Sequence, residues 1–353
     1  GDELAVSRAM DSLKFAALQL GDLERLEELC AELERAQRQR GDLWYLQWTL
    51  CESSYVPLER CDWQEAERRV ADALATSERI GDSQTGVLIR DTSSWIARCR
   101  GDYANSLAFG REALERGDTH AGWLGWAAAG LATPLLDLRA AEEAVAVLER
   151  GLAAAERNRA RGQIFRCLGA LSSATRLAGS ESDARALAER AGRIAEQVTT
   201  PPGKVDFWGE QAYFAIAETH LANGDVERAE EEMRGRLEAW ERSGAKRSIA
   251  MTARALARCA EAQGDWDSAA RMLARSAEAA GEEGLLCERW QIEAGLARVA
   301  AATNRPEEAE DHGRRARELI EAMAVSVGDE DIGGRFRECA LAEIDRPGPT
   351  LGQ

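Results

Sequence analysis

A short turn sequence recurs along the chain at nearly constant spacing. The first residues of its copies, of which the fourth is degenerate, are Gly21, Cys61, Gly101, Arg139, Gly179, Gly224, Gly264 and Asn304. Successive copies begin 40, 40, 38, 40, 45, 40 and 40 residues apart. Stacked helical hairpins produce such regularity, whereas ordinary single-domain folds do not. The spacing therefore predicts a solenoid of about eight helical hairpins.

The residue types at this turn have a mechanical explanation. Glycine or asparagine readily adopts the left-handed conformation that ends a helix, and the aspartate that follows in most copies can cap the next helix. Asp62 and Glu65 have the spacing of a capping box. At the last copy, Pro306 occupies a first-turn position where proline is tolerated. The turn is thus predicted to join two helices.

Small residues occupy matched positions on the two helices of each predicted hairpin. Five positions after each turn start, seven copies have Ala66, Ser106, Ala144, Ala184, Ala229, Ala269 and Ala309. Twelve positions earlier, the same copies have Ser54, Ser94, Ala132, Ser172, Ala217, Ala257 and Ala297. Small side chains let two helix backbones approach closely, so we expect tightly packed antiparallel pairs.

The composition favours an all-α protein without a nucleic-acid partner. Alanine, leucine, glutamate and arginine dominate, and clusters of valine, isoleucine and threonine are scarce. The formal net charge is -17, whereas nucleic-acid binding requires a basic face that neutralises phosphates. We interpret the acidity as a contribution to solubility.

The cysteines and histidines form no metal-binding pattern. Eight cysteines are spread along the chain without a CxxC pair, and only three histidines accompany them. We therefore expect no metal or other cofactor, and interpret the cysteines as buried, reduced thiols of a cytoplasmic protein. The sequence has no signal peptide and no apolar run near the roughly 18 residues that a membrane helix requires. Membrane insertion is not expected.

The segment LARCAEAQGDWDSAARML resembles a tetratricopeptide repeat. It has the small residue of the first helix, the Gly-Asp-aromatic turn and the early alanine of the second helix. The period here is about 40 residues rather than the usual 34 or so. Such stretched repeats, and the closing segment ARELIEAMAVSVGDEDIGGRFRECALAEI, are similar to helical regions of bacterial signal-transduction ATPases, including LuxR-class regulators and ATPase-linked cyclases.

The resemblance implies a right-handed superhelix whose first helices line a concave groove. We expect one repeat array over residues 1–346, ending in a capping helix, and a disordered tail over 347–353. The segment TTPPGKVDFW, from Thr199 to Trp208, interrupts the array and predicts an exposed loop. It is interpreted as a tolerated insertion, with a binding lip or hinge as the alternative. The chain starts at Gly1, as a tag remnant or an excised fragment would.

No familiar catalytic motif is present. The sequence lacks GxxxxGK[ST], GxGxxG, HExxH and GxSxG. Glu218 and His220 lie in AETHLA, but residues two apart point to different sides of a helix, so they form a weak acid–base candidate. We interpret His220 as a histidine satisfied at a contact between helices. The sequence therefore predicts a protein that is not an enzyme.

The candidate site follows from helical geometry. In each first helix, positions spaced three, four and three residues apart form one stripe, which faces the groove if the resemblance holds. Aromatic residues are frequent on this stripe in the first half and arginines in the second. The predicted ligand- or partner-binding residues are Trp95, Arg98, Trp126, Arg166, Arg176, Arg254, Arg258 and Arg298.

Two interpretations of the stripe remain open. The groove could offer apolar surface and guanidinium groups to a peptide segment or an anionic small molecule. Alternatively, the tryptophans fill gaps between hairpins and each arginine pairs with a neighbouring carboxylate. The first interpretation predicts a non-enzymatic sensor or scaffold, part of a larger bacterial regulatory protein. A free-standing assembly adaptor is the second hypothesis, and an enzyme with an unrecognised site is the third.

Overall fold

The computed structural model describes residues 3–120, 122–198, 209–281 and 284–345. This part of the chain consists of helices joined by turns, with no strand. The helices are α1 (Glu3–Leu20), α2 (Leu23–Arg40), α3 (Leu43–Ser53), α4 (Tyr55–Glu59), α5 (Trp63–Ile80), α6 (Thr85–Cys99), α7 (Tyr103–Thr119), α8 (Leu124–Asp137), α9 (Ala141–Arg157), α10 (Arg161–Leu177), α11 (Glu181–Val198), α12 (Glu210–Ala222), α13 (Val226–Ser243), α14 (Lys246–Gln263), α15 (Trp266–Ala280), α16 (Leu286–Ala302), α17 (Pro306–Ser326) and α18 (Glu330–Asp345).

Consecutive helices pack as hairpins, which confirms the predicted all-α solenoid. The first seventeen helices form eight hairpins in the described residues, because α3 and α4 together make one interrupted first helix. Pro57 lies inside the short α4, where its missing N–H suits an interrupted helix. Helix α18 packs on α17 at the end of the array. The predicted loop Thr199–Trp208 and the predicted tail 347–353 lie outside the described residues.

Every turn that defined the repeat has a left-handed residue. The backbone φ is between 58° and 92° at Gly21, Cys61, Gly101, Arg139, Gly179, Gly224, Gly264 and Asn304. The left-handed conformation costs most residues with a side chain about 1–2 kcal/mol, and this cost applies at Cys61 and Arg139, whereas asparagine, as at Asn304, adopts it more readily. The geometry of the turn is therefore kept even where glycine is replaced.

The aspartate that follows the turn caps the next helix at most sites. Asp22, Asp62, Asp102 and Asp265 accept a hydrogen bond from the N–H three residues later, at 2.9–3.2 Å. Asp225 is an exception, because its side chain makes no capping hydrogen bond. Its carboxylate lies 3.7 Å from the ring of His220 instead. The general capping prediction was therefore wrong at this turn.

The paired small residues meet inside the hairpins as predicted. In the α6–α7 hairpin, the Ser94 hydroxyl donates to the Ser106 carbonyl at 2.7 Å, and the Ser106 hydroxyl donates to the Ser94 carbonyl at 2.9 Å. Both serines are buried. Elsewhere Ala66 and Ala269 are wholly buried at the equivalent position. Close backbone approach thus recurs along the array.

The two halves of the array contact each other across the concave interior. Helix α4 touches α14, α6 touches α16, and α7 touches α17. The side chain of Arg139, at the α8–α9 turn, makes two hydrogen bonds of 2.7 and 2.8 Å to Glu343 on α18. The interior is consequently narrow and lined by first helices. In the described residues, no helix has the length and apolarity to cross a bilayer.

Candidate ligand-binding site in the concave interior

A small cavity lies where α4, α6, α8, α10 and α12 meet. Four of the predicted site residues line it, namely Trp95, Arg98, Trp126 and Arg166. Its volume is about 20 Å³, which is room for about one water molecule. The other lining residues are Tyr55, Asp91, Ser94, Gly130, Thr133, Pro134 and Gln211. We call this space the interior cavity.

Asp91, Trp126 and Arg166 form one wall of the interior cavity. The indole N–H of Trp126 donates to Asp91 Oδ2 at 2.7 Å. The Arg166 guanidinium lies over the Trp126 ring at 3.9 Å from its centroid and 3.9 Å from Asp91 Oδ2. Burial raises the pKa of Asp91, and the charge of Arg166 and the indole hydrogen bond oppose this rise. The wall therefore combines a cation, an aromatic face and a carboxylate.

Gly130 on α8 makes this arrangement possible. A β-carbon at Gly130 would lie only 1.6 Å from Asp91 Oδ1. Helix α8 therefore needs glycine where the Asp91 carboxylate approaches its backbone.

Arg98 also lines the interior cavity, and Asp137 at the end of α8 holds its guanidinium. Its guanidinium donates to both oxygens of Asp137, at 2.5 and 3.1 Å, and the Tyr103 hydroxyl donates to Asp137 at 2.8 Å. The Arg98 side chain is only 4% exposed. Tyr103 follows the turn at Gly101, and its side chain reaches α8 in the next hairpin. Two first helices thus fix the position of the Arg98 charge.

Three of the predicted arginines keep an N–H group without a hydrogen-bond partner. Within the described part of the chain, Arg98 Nη1, Arg166 Nη1 and Arg176 Nε are buried and have no acceptor. Buried polar groups are usually paired, so such donors require an explanation. For Arg98 and Arg166 the donors belong to residues that line the same cavity. An acceptor that enters the interior cavity, such as a carboxylate, would satisfy them.

The remaining predicted arginines lie in the second half of the interior and contact carboxylates. Arg254 donates to Glu288 at 2.5 Å, and Arg298 makes two hydrogen bonds of 2.8 and 3.1 Å to Glu261. These two pairs match the alternative interpretation, in which the arginines pair with neighbours. The sequence pattern alone could not distinguish the two interpretations, because both place arginine on the same face.

Arg176 and Arg258 share one carboxylate. Both guanidinium groups donate to Glu218, at 3.2 and 3.3 Å. Two positive charges and one negative charge leave a local positive excess, and the Arg258 side chain is 40% exposed. Arg258 is therefore accessible to an anion, whereas Arg254 is buried.

Glu218 and His220 do not form an acid–base pair. Burial raises the pKa of Glu218, but the positive charges of Arg258 and Arg176 hold it below its ordinary value. Burial lowers the pKa of His220. The histidine is 8% exposed and its nearest acidic contact is Asp225. The weak catalytic candidate thus consists of two side chains with separate partners.

A row of tryptophan rings leads from the surface to the interior cavity. Ring centroids are 6.3 Å apart for Trp44 and Trp48, 5.8 Å for Trp48 and Trp123, and 6.2 Å for Trp123 and Trp126. The outermost ring, Trp44, is 51% exposed. Sequence reasoning missed Trp44 and Trp123, because they precede the stripe by one turn of helix. We call these four residues the aromatic row.

Fold and cavity together define an all-α, tetratricopeptide-like helical-repeat protein with a small cavity in its concave interior. Among solved structures, the chain is similar to a Rap protein complexed with Competence and Sporulation Factor, with a TM-score of 0.59 and 12% identity, covering 98% of each chain. It is also similar to the apo form of RapI, with a TM-score of 0.53 and 12% identity, covering 78% of this chain and 98% of the other.

At this level of identity the similarity concerns the fold. No protein-family model matches the chain, and no curated protein sequence is significantly similar to it.

Proposed function

We propose that this chain is a non-enzymatic binding scaffold whose interior cavity holds a carboxylate of an extended peptide segment. The observation that carries the proposal is the pair of acceptor-less N–H groups on Arg98 and Arg166 beside Trp95 and Trp126. Guanidinium groups bind carboxylates with strong hydrogen bonds, and aromatic faces bind the apolar parts of a peptide. A peptide combines both chemical features.

The aromatic row supports an extended ligand over a compact one. Its four rings continue from exposed Trp44 to Trp126 at the wall of the cavity. A peptide could lie along these rings with its carboxylate at Arg166. The Rap structure of similar fold is itself a complex with Competence and Sporulation Factor, which makes ligand binding by this architecture a reasonable hypothesis.

The size of the interior cavity implies that binding widens it. In the present conformation the cavity has room for about one water molecule. Contacts between the halves, such as that of α6 with α16, would therefore loosen when a peptide enters. Peptide binding would therefore change the shape of the solenoid, and a regulatory protein can transmit such a change to a partner.

A paired binding experiment tests the proposal. Two pools of the same short peptides, one with free C-terminal carboxylates and one with amides, are titrated while tryptophan fluorescence is recorded. We expect the carboxylate pool to bind more tightly. Charge-assisted hydrogen bonds are worth about 1.5–3 kcal/mol, so Arg166→Ala should weaken binding by roughly tenfold or more.

Arg314→Ala provides the matched control, because this side chain is 58% exposed on α17 and its ion-pair partners, Asp311 and Glu318, belong to the same helix. It should leave binding unchanged. Equal binding of both peptide pools would contradict the proposed role of the arginines. Failure of both pools, together with binding of a folded partner to the outer surface, would favour the free-standing adaptor.

The arginines in the second half of the solenoid favour an alternative ligand, namely an anionic small molecule. Arg258, with its exposed guanidinium and the local positive excess, could bind an anionic small molecule.

We further propose that the chain belongs to a bacterial cytoplasmic regulator of the ATPase-linked or LuxR class. The native gene would then continue into an ATPase module. Native mass spectrometry of protein from its own host would detect a retained ligand.

The hypothesis that the chain is an enzyme requires that the purified protein turn over a substrate. It would be supported by ATP hydrolysis that survives repurification and is lost in Glu218→Gln.

A further inference from the structure

Two thiols meet where the first and second halves of the solenoid touch. Cys99 is the last residue of α6, and Cys287 is the second residue of α16. Both are buried, at the point where α6 and α16 pack against each other. The fold therefore brings two cysteines from distant parts of the sequence to the same helix–helix contact.

Contacts on both sides hold the thiols in position. Arg98 Nη2 lies 3.9 Å from Glu288 Oε1. A β-carbon on Gly101 would lie 3.2 Å from the Leu286 β-carbon, and the Ser326 hydroxyl donates to the Gly101 carbonyl at 2.7 Å. Residues within two positions of each cysteine are thus packed against the opposite helix or its neighbour. The pair is part of a defined interface.

The surroundings favour a thiolate at Cys99. The neighbouring Cys287 thiol lowers the pKa of Cys99 despite burial, and the positive charges of Arg98 and Arg247 act in the same direction while Glu59 opposes them. The pKa of Cys287 is raised by the neighbouring Cys99 thiol and by burial. Two neighbouring thiols with unequal pKa values suit the roles of a nucleophilic thiol and a resolving thiol.

The other cysteines differ from this pair. Burial raises the pKa of Cys30, Cys51 and Cys167 to about 12, which makes them poor nucleophiles. Cys61 lies near Cys99 but its pKa is also raised to about 12. Within the described residues, no group of three or more histidine, cysteine or acidic side chains is placed to hold a metal. Oxidation is therefore the chemistry that the pair suits.

We propose that Cys99 and Cys287 form a redox-active dithiol that a peroxide converts to an intramolecular disulfide joining the two halves of the solenoid. The Cys99 thiolate attacks one peroxide oxygen, the O–O bond breaks, and protonation of the leaving oxygen releases water. The resulting sulfenic acid is attacked by the Cys287 sulfur, the S–O bond breaks and a second water leaves. Two thiols are oxidised and one peroxide is reduced.

The disulfide would fix the closed form of the solenoid. It would link residues that are far apart in sequence, and closing a long loop restricts the unfolded chain strongly. It would also tie α6, which carries Trp95 and Arg98, to α16. If the proposed peptide binding at the interior cavity is correct, oxidation should hinder the widening that binding requires. This last step rests on the proposed function, whereas the disulfide itself does not.

Mapping of the disulfide tests the proposal without any ligand. The full chain is treated with hydrogen peroxide, free thiols are blocked with N-ethylmaleimide, and non-reduced peptides are identified by mass spectrometry. We expect a linked pair of peptides that contain Cys99 and Cys287, which dithiothreitol separates. A link from Cys99 to Cys61, sulfinic acid at Cys99 without a link, or no reaction at either thiol would overturn the proposal.

Thermal unfolding gives a second, independent measurement. The midpoint for the wild-type chain should rise after oxidation and return after reduction. Cys287→Ser should abolish the rise, whereas Cys339→Ser, at an exposed cysteine, should keep it. If Cys287→Ser does not fold, the mapping of the wild-type chain still decides the question. A rise that persists in a folded Cys287→Ser variant would overturn the assignment of the resolving thiol.

Discussion

Arg247 and Glu59 lie 188 residues apart in sequence and form a wholly buried ion pair between α14 and α4. Arg247 Nε donates to Glu59 Oε1 at 2.7 Å, and Arg247 Nη2 also lies 2.5 Å from Glu210. The backbone N–H and the hydroxyl of Ser248 donate to the other Glu59 oxygen. The guanidinium lies 4.6 Å from the ring centroid of Trp95. Closure of the solenoid is therefore coupled to a residue of the interior cavity.

Arg247→Leu should destabilise the protein strongly. Removing one partner of a buried pair leaves uncompensated charge and typically costs about 3–5 kcal/mol. Here the two carboxylates of Glu59 and Glu210 would remain buried. Urea unfolding measures the loss of free energy, and Arg314→Ala on the exposed face of α17 is the control, with a change of less than about 0.5 kcal/mol expected. Equal stability of the two variants would show that the pair contributes nothing to closure.

Sequence reasoning predicted the hairpins because their determinants are local. A left-handed residue such as Gly264 and a cap such as Asp265 act within a few residues, and both occupy their predicted roles. The stripe was also local, which is why Trp95 and Trp126 were selected without coordinates. Both residues line the same cavity. Regular local signals thus carry most of the information about this fold.

The contacts that close the two halves of the solenoid on each other could not be predicted from the sequence in the same way. The contact of Arg247 with Glu59 depends on small rotations that accumulate over many hairpins, and no short-range pattern encodes their sum. On α14 the stripe begins at Met251, and Arg247 lies four residues before it on the same helical face. Extending the stripe by one turn would have included Arg247, but its partner would have remained unknown. For the same reason, sequence alone did not show which arginines keep unpaired donors.

Two glycine substitutions should have opposite effects on stability. A β-carbon at Gly169 on α10 would lie 2.5 Å from the Ala212 β-carbon and 2.6 Å from its α-carbon, whereas one at Gly192 on α11 would meet nothing within 4 Å. Gly169→Ala should overpack the α10–α12 contact and cost about 1–3 kcal/mol. Gly192→Ala should stabilise by up to about 1 kcal/mol, because alanine favours helix. Chemical denaturation measures both. Destabilisation by Gly192→Ala would contradict the open surroundings assigned to that position.

The anchor of Arg98 should show a graded response to mutation. Asp137→Ala would leave the buried Arg98 and the hydroxyl of Tyr103 without their shared acceptor, so a loss of about 3–5 kcal/mol is expected. Tyr103→Phe removes one hydrogen bond and leaves the ion pair, so a loss of about 1 kcal/mol is expected. Thermal and urea unfolding of both variants test this order. A loss in Tyr103→Phe as large as that in Asp137→Ala would mean that Arg98 and Asp137 contribute little.

The Arg139–Glu343 pair should make docking of α18 sensitive to acid. Burial opposes ionisation of Glu343, but the hydrogen bonds and charge of Arg139 hold its pKa below its ordinary value. A carboxylate with a lowered folded-state pKa stabilises the fold above its unfolded pKa, and this contribution is lost as pH falls through the folded-state pKa. Glu343→Gln should therefore be less stable than wild type at neutral pH.

The difference in unfolding free energy between wild type and Glu343→Gln should begin to shrink below the ordinary glutamate pKa of about 4.3, where the unfolded wild-type chain starts to bind a proton, and should vanish only once pH is below the lowered folded-state pKa. Urea unfolding at a series of pH values measures it. Glu338→Gln, at an exposed glutamate of the same helix, is the control for a general change in net charge and should follow the wild-type curve. A difference that stays constant down to pH values where Glu343 is protonated would show that the side chain acts through shape or packing, and that its ion pair with Arg139 does not stabilise the docked helix.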